Sequence, residues 1–102
     1  MIVAFSVAPS GAPGDSDSVH DAVAAAVKIV RESGLPNHTS SMFTEIEGEW
    51  DEVFAAIRRC HEVVHAMGAP RISTTLRVGT RTDRDQSMDD KVRSVEEKLG
   101  GA

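Results

Sequence analysis

The order in which hydrophobic periodicity changes along the chain is what most restricts its fold. Residues 2–8 form a compact run in which Val3, Phe5 and Val7 alternate with Ile2, Ala4 and Ser6, the two-residue period of a strand with small or apolar side chains on both faces. Pro, Ser, Gly and Asp then follow almost without interruption, so residues 9–17 are expected to be a loop. The period changes to that of a helix at Val19, Ala22, Val23, Ala26, Ile29 and Val30, with Ser18 as the expected N-cap, Asp21 at the capping-box position and Gly34 as the stop. Asn37 to Gly48 is short, rich in Ser and Thr, and suits two antiparallel strands joined near Met42 or Phe43. A second apolar stripe, Trp50, Val53, Phe54, Ile57, Cys60, Val64 and Met67, predicts a helix closed by Gly68, and Pro70 bars its continuation. Ile72, Thr74, Leu76 and Val78 next alternate with Arg71, Ser73, Thr75 and Arg77 as in a half-exposed strand, and Arg81 to Asp85 reads as a loop. Ser87 with Asp90 repeats the capping-box pattern ahead of a narrow stripe, Met88, Val92, Val95 and Leu99, on a third helix.

The order β-α-β-β-α-β plus a C-terminal helix is that of an α+β, ferredoxin-like sandwich. At 102 residues the chain is expected to form one domain over residues 1–102, because a second unit would be too small to fold alone. In this topology two helices cover one sheet face, the first and third strands are central, and the other face is left to solvent, a ligand or a second subunit. Parity assigns Val3, Phe5, Ile46, Ile72, Leu76 and Val78 to the helix side and Ala4, Ser6, Glu45, Glu47, Ser73, Thr75 and Arg77 to the open side. Eleven Lys and Arg against sixteen Asp and Glu give a formal charge of −5, which argues against nucleic acid and anionic membranes as partners. The first residues carry no basic segment and their apolar run breaks at Pro9, so a cytoplasmic location is expected. The single Cys60 lies in a helical stripe, where a thiol behaves as a small hydrophobe.

Three segments carry a family resemblance: Met42-Phe-Thr-Glu-Ile-Glu-Gly-Glu-Trp-Asp-Glu-Val53, the strand region from Gly68 to Asp83, and the tail from Ser87 to Leu99. In order and spacing they resemble the small thiamine-binding protein family, over nearly the whole chain. The resemblance implies a ferredoxin-like subunit that assembles into dimers or tetramers and binds thiamine or its hydroxymethylpyrimidine part without catalysing a reaction or using a cofactor. The chain departs from the family pattern at positions 38–41, where His38-Thr-Ser-Ser41 replaces a run with an aromatic residue, Leu and Pro. Thiamine joins a cationic thiazolium to an aminopyrimidine, so a site for it needs negative potential, hydrogen-bonding groups and an apolar wall. Glu47, with Glu45 beside it, is the expected anchor; Met42 supplies wall, and Ser6, Ser41 and Thr44 supply hydroxyls, with Thr44 aimed at the helices by parity. The same glutamates, with Glu49, also read as an ordinary solvated acidic edge.

Other constellations compete with this reading. His61-Glu-Val-Val-His65 has the spacing by which zinc metalloproteases present two imidazoles on one helix face. His61 falls at the centre of the apolar stripe and no third ligand follows at a recognisable spacing, so a packed or partner-facing histidine pair is expected. Gly11 and Gly14 are followed by no Lys, and Asp15 and Asp17 would repel a phosphate. Arg71, Arg77, Arg81 and Arg84 make the last strand locally basic, a feature suited to subunit pairing, to a phosphorylated ligand or to plain solvation. Trp50 is expected in the core or an interface. Two other classes of function remain open: a small enzyme using Glu47 or His38 as acid or base, and an assembly module with no small ligand.

Overall fold

The alternating first run forms β1 (Ile2–Ser10), followed by α1 (Asp17–Glu32), β2 (Asn37–Thr39), β3 (Thr44–Glu47), α2 (Trp50–Ala66), β4 (Arg71–Gly79) and α3 (Met88–Gly100). The computed structural model describes residues 1–11, 17–83 and 87–100. The strands form an antiparallel sheet in the order β2-β3-β1-β4, so the first and third strands are central as expected of this topology. This is the α+β, ferredoxin-like arrangement with an additional C-terminal helix.

The core fills the space between one sheet face and the two helices packed on it. Val3 and Phe5 of β1, Ile46 of β3, Ala22, Ala26 and Val30 of α1, and Val53, Ala56, Ile57, Cys60 and Val64 of α2 are all buried. Alanines and a cysteine at the contact let α1 and α2 approach closely, and the Cys60 thiol donates to the Ala26 carbonyl at 3.4 Å. Gly34 ends α1 at φ 79 and Gly68 follows α2 at φ 108, both backbone states that glycine reaches without a Cβ penalty. The hairpin turn is closed by Ser40, whose N–H and hydroxyl both donate to the Phe43 carbonyl, at 2.9 and 2.8 Å.

Several sequence expectations need correction. β1 does not stop at residue 8: Pro9 and Ser10 continue the strand because Ile72 and Arg71 lie opposite them. A proline is tolerated there, since β3 ends opposite Phe5 and among the described residues that side of β1 has no further partner strand. α1 begins at Asp17, so Ser18 stands inside its first turn rather than at the cap, while residues 12–16 of the expected loop lie outside the described residues. Trp50 is not core: it is 55% exposed and stacks on Phe54 with centroids 5.5 Å apart. Leu76 and Val78 do lie opposite Phe5 and Val3 on the helix side, yet remain 41% and 39% exposed on the edge strand.

The second capping box holds. Asp90 N–H donates to Ser87 Oγ at 3.0 Å and Ser87 N–H to Asp90 Oδ2 at 3.1 Å, the reciprocal pair that starts α3. Most of the stripe it launches is uncovered, with Val92, Val95 and Leu99 all exposed. The Cα radius of gyration, 15.5 Å, exceeds the roughly 13 Å of a compact chain this long, as expected when a terminal helix projects from the body.

Two expectations about stability follow. Ile46 is fully buried on a central strand, so Ile46→Ala should lower unfolding free energy by about 2–5 kcal/mol in urea titration. Burial pushes the Cys60 thiol from 9.0 to about 11. The unfolded chain therefore ionises first, and the stability tied to this residue is complete below pH 9 and declines as pH rises through 9 to 11. Cys60→Ala should flatten that decline in denaturation series across the window, and wild-type Cys60 should react with a thiol reagent only on unfolding.

Candidate functional site

The candidate site arises from unequal strand lengths. β1 is matched by β4 along all nine residues but by β3 only from Ile2 to Phe5. Beyond Phe5 the chain turns away through residues 40–43, leaving a notch between the far half of β1 and that turn. α1 closes its helix side. The resulting cavity of about 210 Å³ is lined by Ser6, Val7, Val23, Val27, Met42 and Thr44, with Phe5, Ala26 and residues 39–41 and 43 completing it. Four of the six residues singled out from the sequence, Ser6, Ser41, Met42 and Thr44, therefore meet in one place. The walls carry hydroxyls and apolar surface and no charge. Val23 was read only as core, Val27 lies off the stripe that the helix period marked, and Thr39 was read only as part of a hairpin strand; the discernible signal was a long first strand facing a much shorter hairpin.

Glu45 and Glu47 stand elsewhere, on the open face, by the parity that pairs Ala4 with Glu45 and Ile2 with Glu47. Glu45 is cross-strand from His38 and lines a groove of about 710 Å³ between the hairpin and α3, with Met88, Val92, Arg93 and Glu96 on its other wall. Glu47 has a structural partner: its Oε1 accepts the Met88 N–H at 2.7 Å. One backbone donor that α3 leaves open at its first turn is thus satisfied by a carboxylate from the sheet, a favourable placement against the helix dipole. Glu47 also borders a cavity of about 380 Å³ at the sheet end, with Met1, Gly79, Arg81, Ser87 and Lys91.

Each imidazole of the histidine pair has a partner within the fold. His61 Nε2 lies 2.6 Å from Thr74 Oγ1, and His65 donates from Nδ1 to the Ala69 carbonyl at 2.7 Å. Among the described residues no group of three or more His, Cys, Asp or Glu is placed to hold a metal ion. Arg81 is paired with Asp83 at 2.5 Å, while Arg84 lies outside the described residues. No helix among the described residues is long and apolar enough to cross a membrane.

Comparison with known proteins meets this geometry from outside. A UPF0045 protein from Synechocystis is 53% identical over 96 residues, spanning 94% of this chain and 77% of its own. A UPF0045 protein from Mycobacterium bovis is 44% identical over 100 residues, spanning 97% and 94%. The solved structure of a domain of unknown function, DUF77, from Bacillus cereus superimposes with a TM-score of 0.82 at 26% identity, covering 95% of this chain and 90% of that one. A Thermotoga maritima protein provisionally assigned to thiamine biosynthesis or salvage shares the fold, with a TM-score of 0.77 at 17% identity and coverage of 92% and 96%. Residues 3–96 match the family described as thiamine-binding protein, a description that names binding and no reaction, and the chain belongs to that family.

Proposed function

We propose that this protein is a cytoplasmic, non-enzymatic small-molecule binder that takes thiamine or its hydroxymethylpyrimidine part, working as a self-associated assembly. The observation that carries the reading is the uncharged notch beside β1, combined with family membership. Pockets for drug-sized ligands run from about 300 Å³ upward. The notch, at about 210 Å³, suits a single substituted ring rather than a whole two-ring molecule.

An aminopyrimidine is neutral at pH 7 and presents alternating donors and acceptors along one edge. The far half of β1 has no β3 residue opposite it, so its backbone can answer that edge, and the Ser6, Ser41 and Thr44 hydroxyls offer further partners. Met42, whose thioether is adaptable, packs on the ring face. The thiazolium of thiamine then projects out of the notch. Glu45 and Glu47, on the opposite sheet face, act on that cation through their field rather than by contact.

Calorimetric titration and thermal unfolding with thiamine and with hydroxymethylpyrimidine test this. Both are expected to give heat and a raised melting temperature; silence from both at millimolar concentration would sink the ligand assignment. Val27→Phe, which fills the notch from the half-exposed side of α1, should weaken both ligands about tenfold or more, equivalent to about 1.4 kcal/mol. Glu47→Gln should weaken thiamine by about two- to fivefold, as for one partly screened charge, and leave the neutral pyrimidine unchanged. An equal loss for both ligands would instead make Glu47 the ring anchor.

A further inference from the structure

Two histidines on α2 take no part in the proposed ligand site. His61 and His65 stand about one helical turn apart, the spacing at which side chains of a helix meet, with ring centroids 6.2 Å apart and ring planes at 59°. His61 is half-buried and His65 is exposed, so the pair is open to solvent.

The partner that each ring already has sets this pair apart from two loose surface imidazoles. His65 Nδ1 lies 2.7 Å from the Ala69 carbonyl, which only accepts, so the proton sits on Nδ1 and Nε2 presents a lone pair. His61 Nε2 lies 2.6 Å from Thr74 Oγ1, a hydroxyl that accepts as well as it donates. With the Nε2 proton given to Thr74, Nδ1 of His61 is the basic nitrogen. The fold thus holds one nitrogen of each ring, and among the described residues the other has no hydrogen-bond partner. A ring N–H given to a neighbouring oxygen, with the opposite nitrogen basic and accessible, is how proteins orient a histidine that binds a metal ion.

We propose that His61 and His65 chelate one divalent late transition-metal ion, copper(II) most tightly, through Nδ1 of His61 and Nε2 of His65, with water in the remaining positions. The class of ion follows from the ligands. Neutral imidazoles suit copper, nickel and zinc, whereas calcium and magnesium require oxygen, and a given nitrogen set binds copper(II) more tightly than nickel(II) or zinc(II). Two imidazole nitrogens about 2.0 Å from one ion bring their ring centroids to about 5 Å. The rings stand 6.2 Å apart, a difference that small torsional adjustments of both side chains within their rotamer wells close. Glu62, between the two, points to another face of α2 and pairs with Arg58 at 3.9 Å, so it is not placed to activate a metal-bound water. The site binds an ion without an assembled base. Because its two ligands are tied to Thr74 of β4 and to Ala69 of the connection, a bound ion braces the end of α2 against both.

The inference does not depend on the thiamine reading. Calorimetric titration of the tag-free chain with copper(II), nickel(II) and zinc(II) should give one ion per chain, copper tightest, and paramagnetic resonance of the copper form should show splitting from two imidazole nitrogens. Removing a group that merely orients a ligand costs about tenfold in metal affinity, so His61→Ala and His65→Ala should each weaken copper by about that factor or more and lose the two-nitrogen pattern. His20→Ala, on α1, should change neither reading. A wild type that takes up no copper at millimolar concentration overturns the proposal. So does copper that binds His65→Ala as tightly as the wild type, which marks an adventitious ion only. Should His61→Ala fail to fold, His65→Ala decides by itself, since its ring is exposed.

Discussion

β1 is bonded over nine residues to β4 but over only four to β3, and this inequality governs the rest of the molecule. The half of β1 that has neighbours on both sides carries Val3 and Phe5 into the core, where Ile46 and the inner faces of α1 and α2 meet them. The other half has a partner on one side alone. There the sheet opens into the notch, Pro9 can sit in a strand, and the turn of residues 40–43 becomes a wall rather than a mere connection. The same length in β4 leaves, among the described residues, a full-length edge with no partner strand at the opposite end of the sheet. Core, cavity and edge thus follow from one mismatch in strand length.

Charge is distributed along the same lines. The helix side of the sheet is apolar where it is covered and carries Thr44 and Thr74 where it approaches the cavity or a histidine. The open side carries Glu45 and Glu47 on the central strand and Arg71 and Arg77 on the edge strand. Glu47 illustrates how an open-face carboxylate is built into the fold. Its carboxylate holds the first turn of α3 by one backbone hydrogen bond, and α3 has few other ties to the body because no side chain of that helix is buried. A carboxylate that latches a helix still projects its charge toward the sheet face.

Local features of this fold were legible from the residues. Element order, the parity of each strand, the glycine stops after α1 and α2 and the Ser87–Asp90 capping box all depend on side chains within one or two turns or on a period of two or 3.6. The burial of Cys60 belongs to the same group, since it rests on position in one helical stripe. The candidate site was legible only in part. Ser6, Ser41, Met42 and Thr44 do converge, but Glu45 and Glu47 face the other way, and Val23 and Val27 gave no sign that they stood at a cavity.

The sequence by itself determined the order of helical and extended elements and the parity of the strands, because backbone hydrogen bonding and side-chain alternation are short-range. Only the tertiary structure decided how far each strand is paired and what covers each face. The extent of β1 depends on β4, more than sixty residues away; the exposure of Leu76 and Val78 goes with the place of their strand at the sheet edge; and the course of α3 depends on a carboxylate forty-one residues before it. Periodicity says that a side chain points off a strand or helix. Whether it meets a helix, a cavity, a second copy or water is settled by lengths and distances that no local pattern contains.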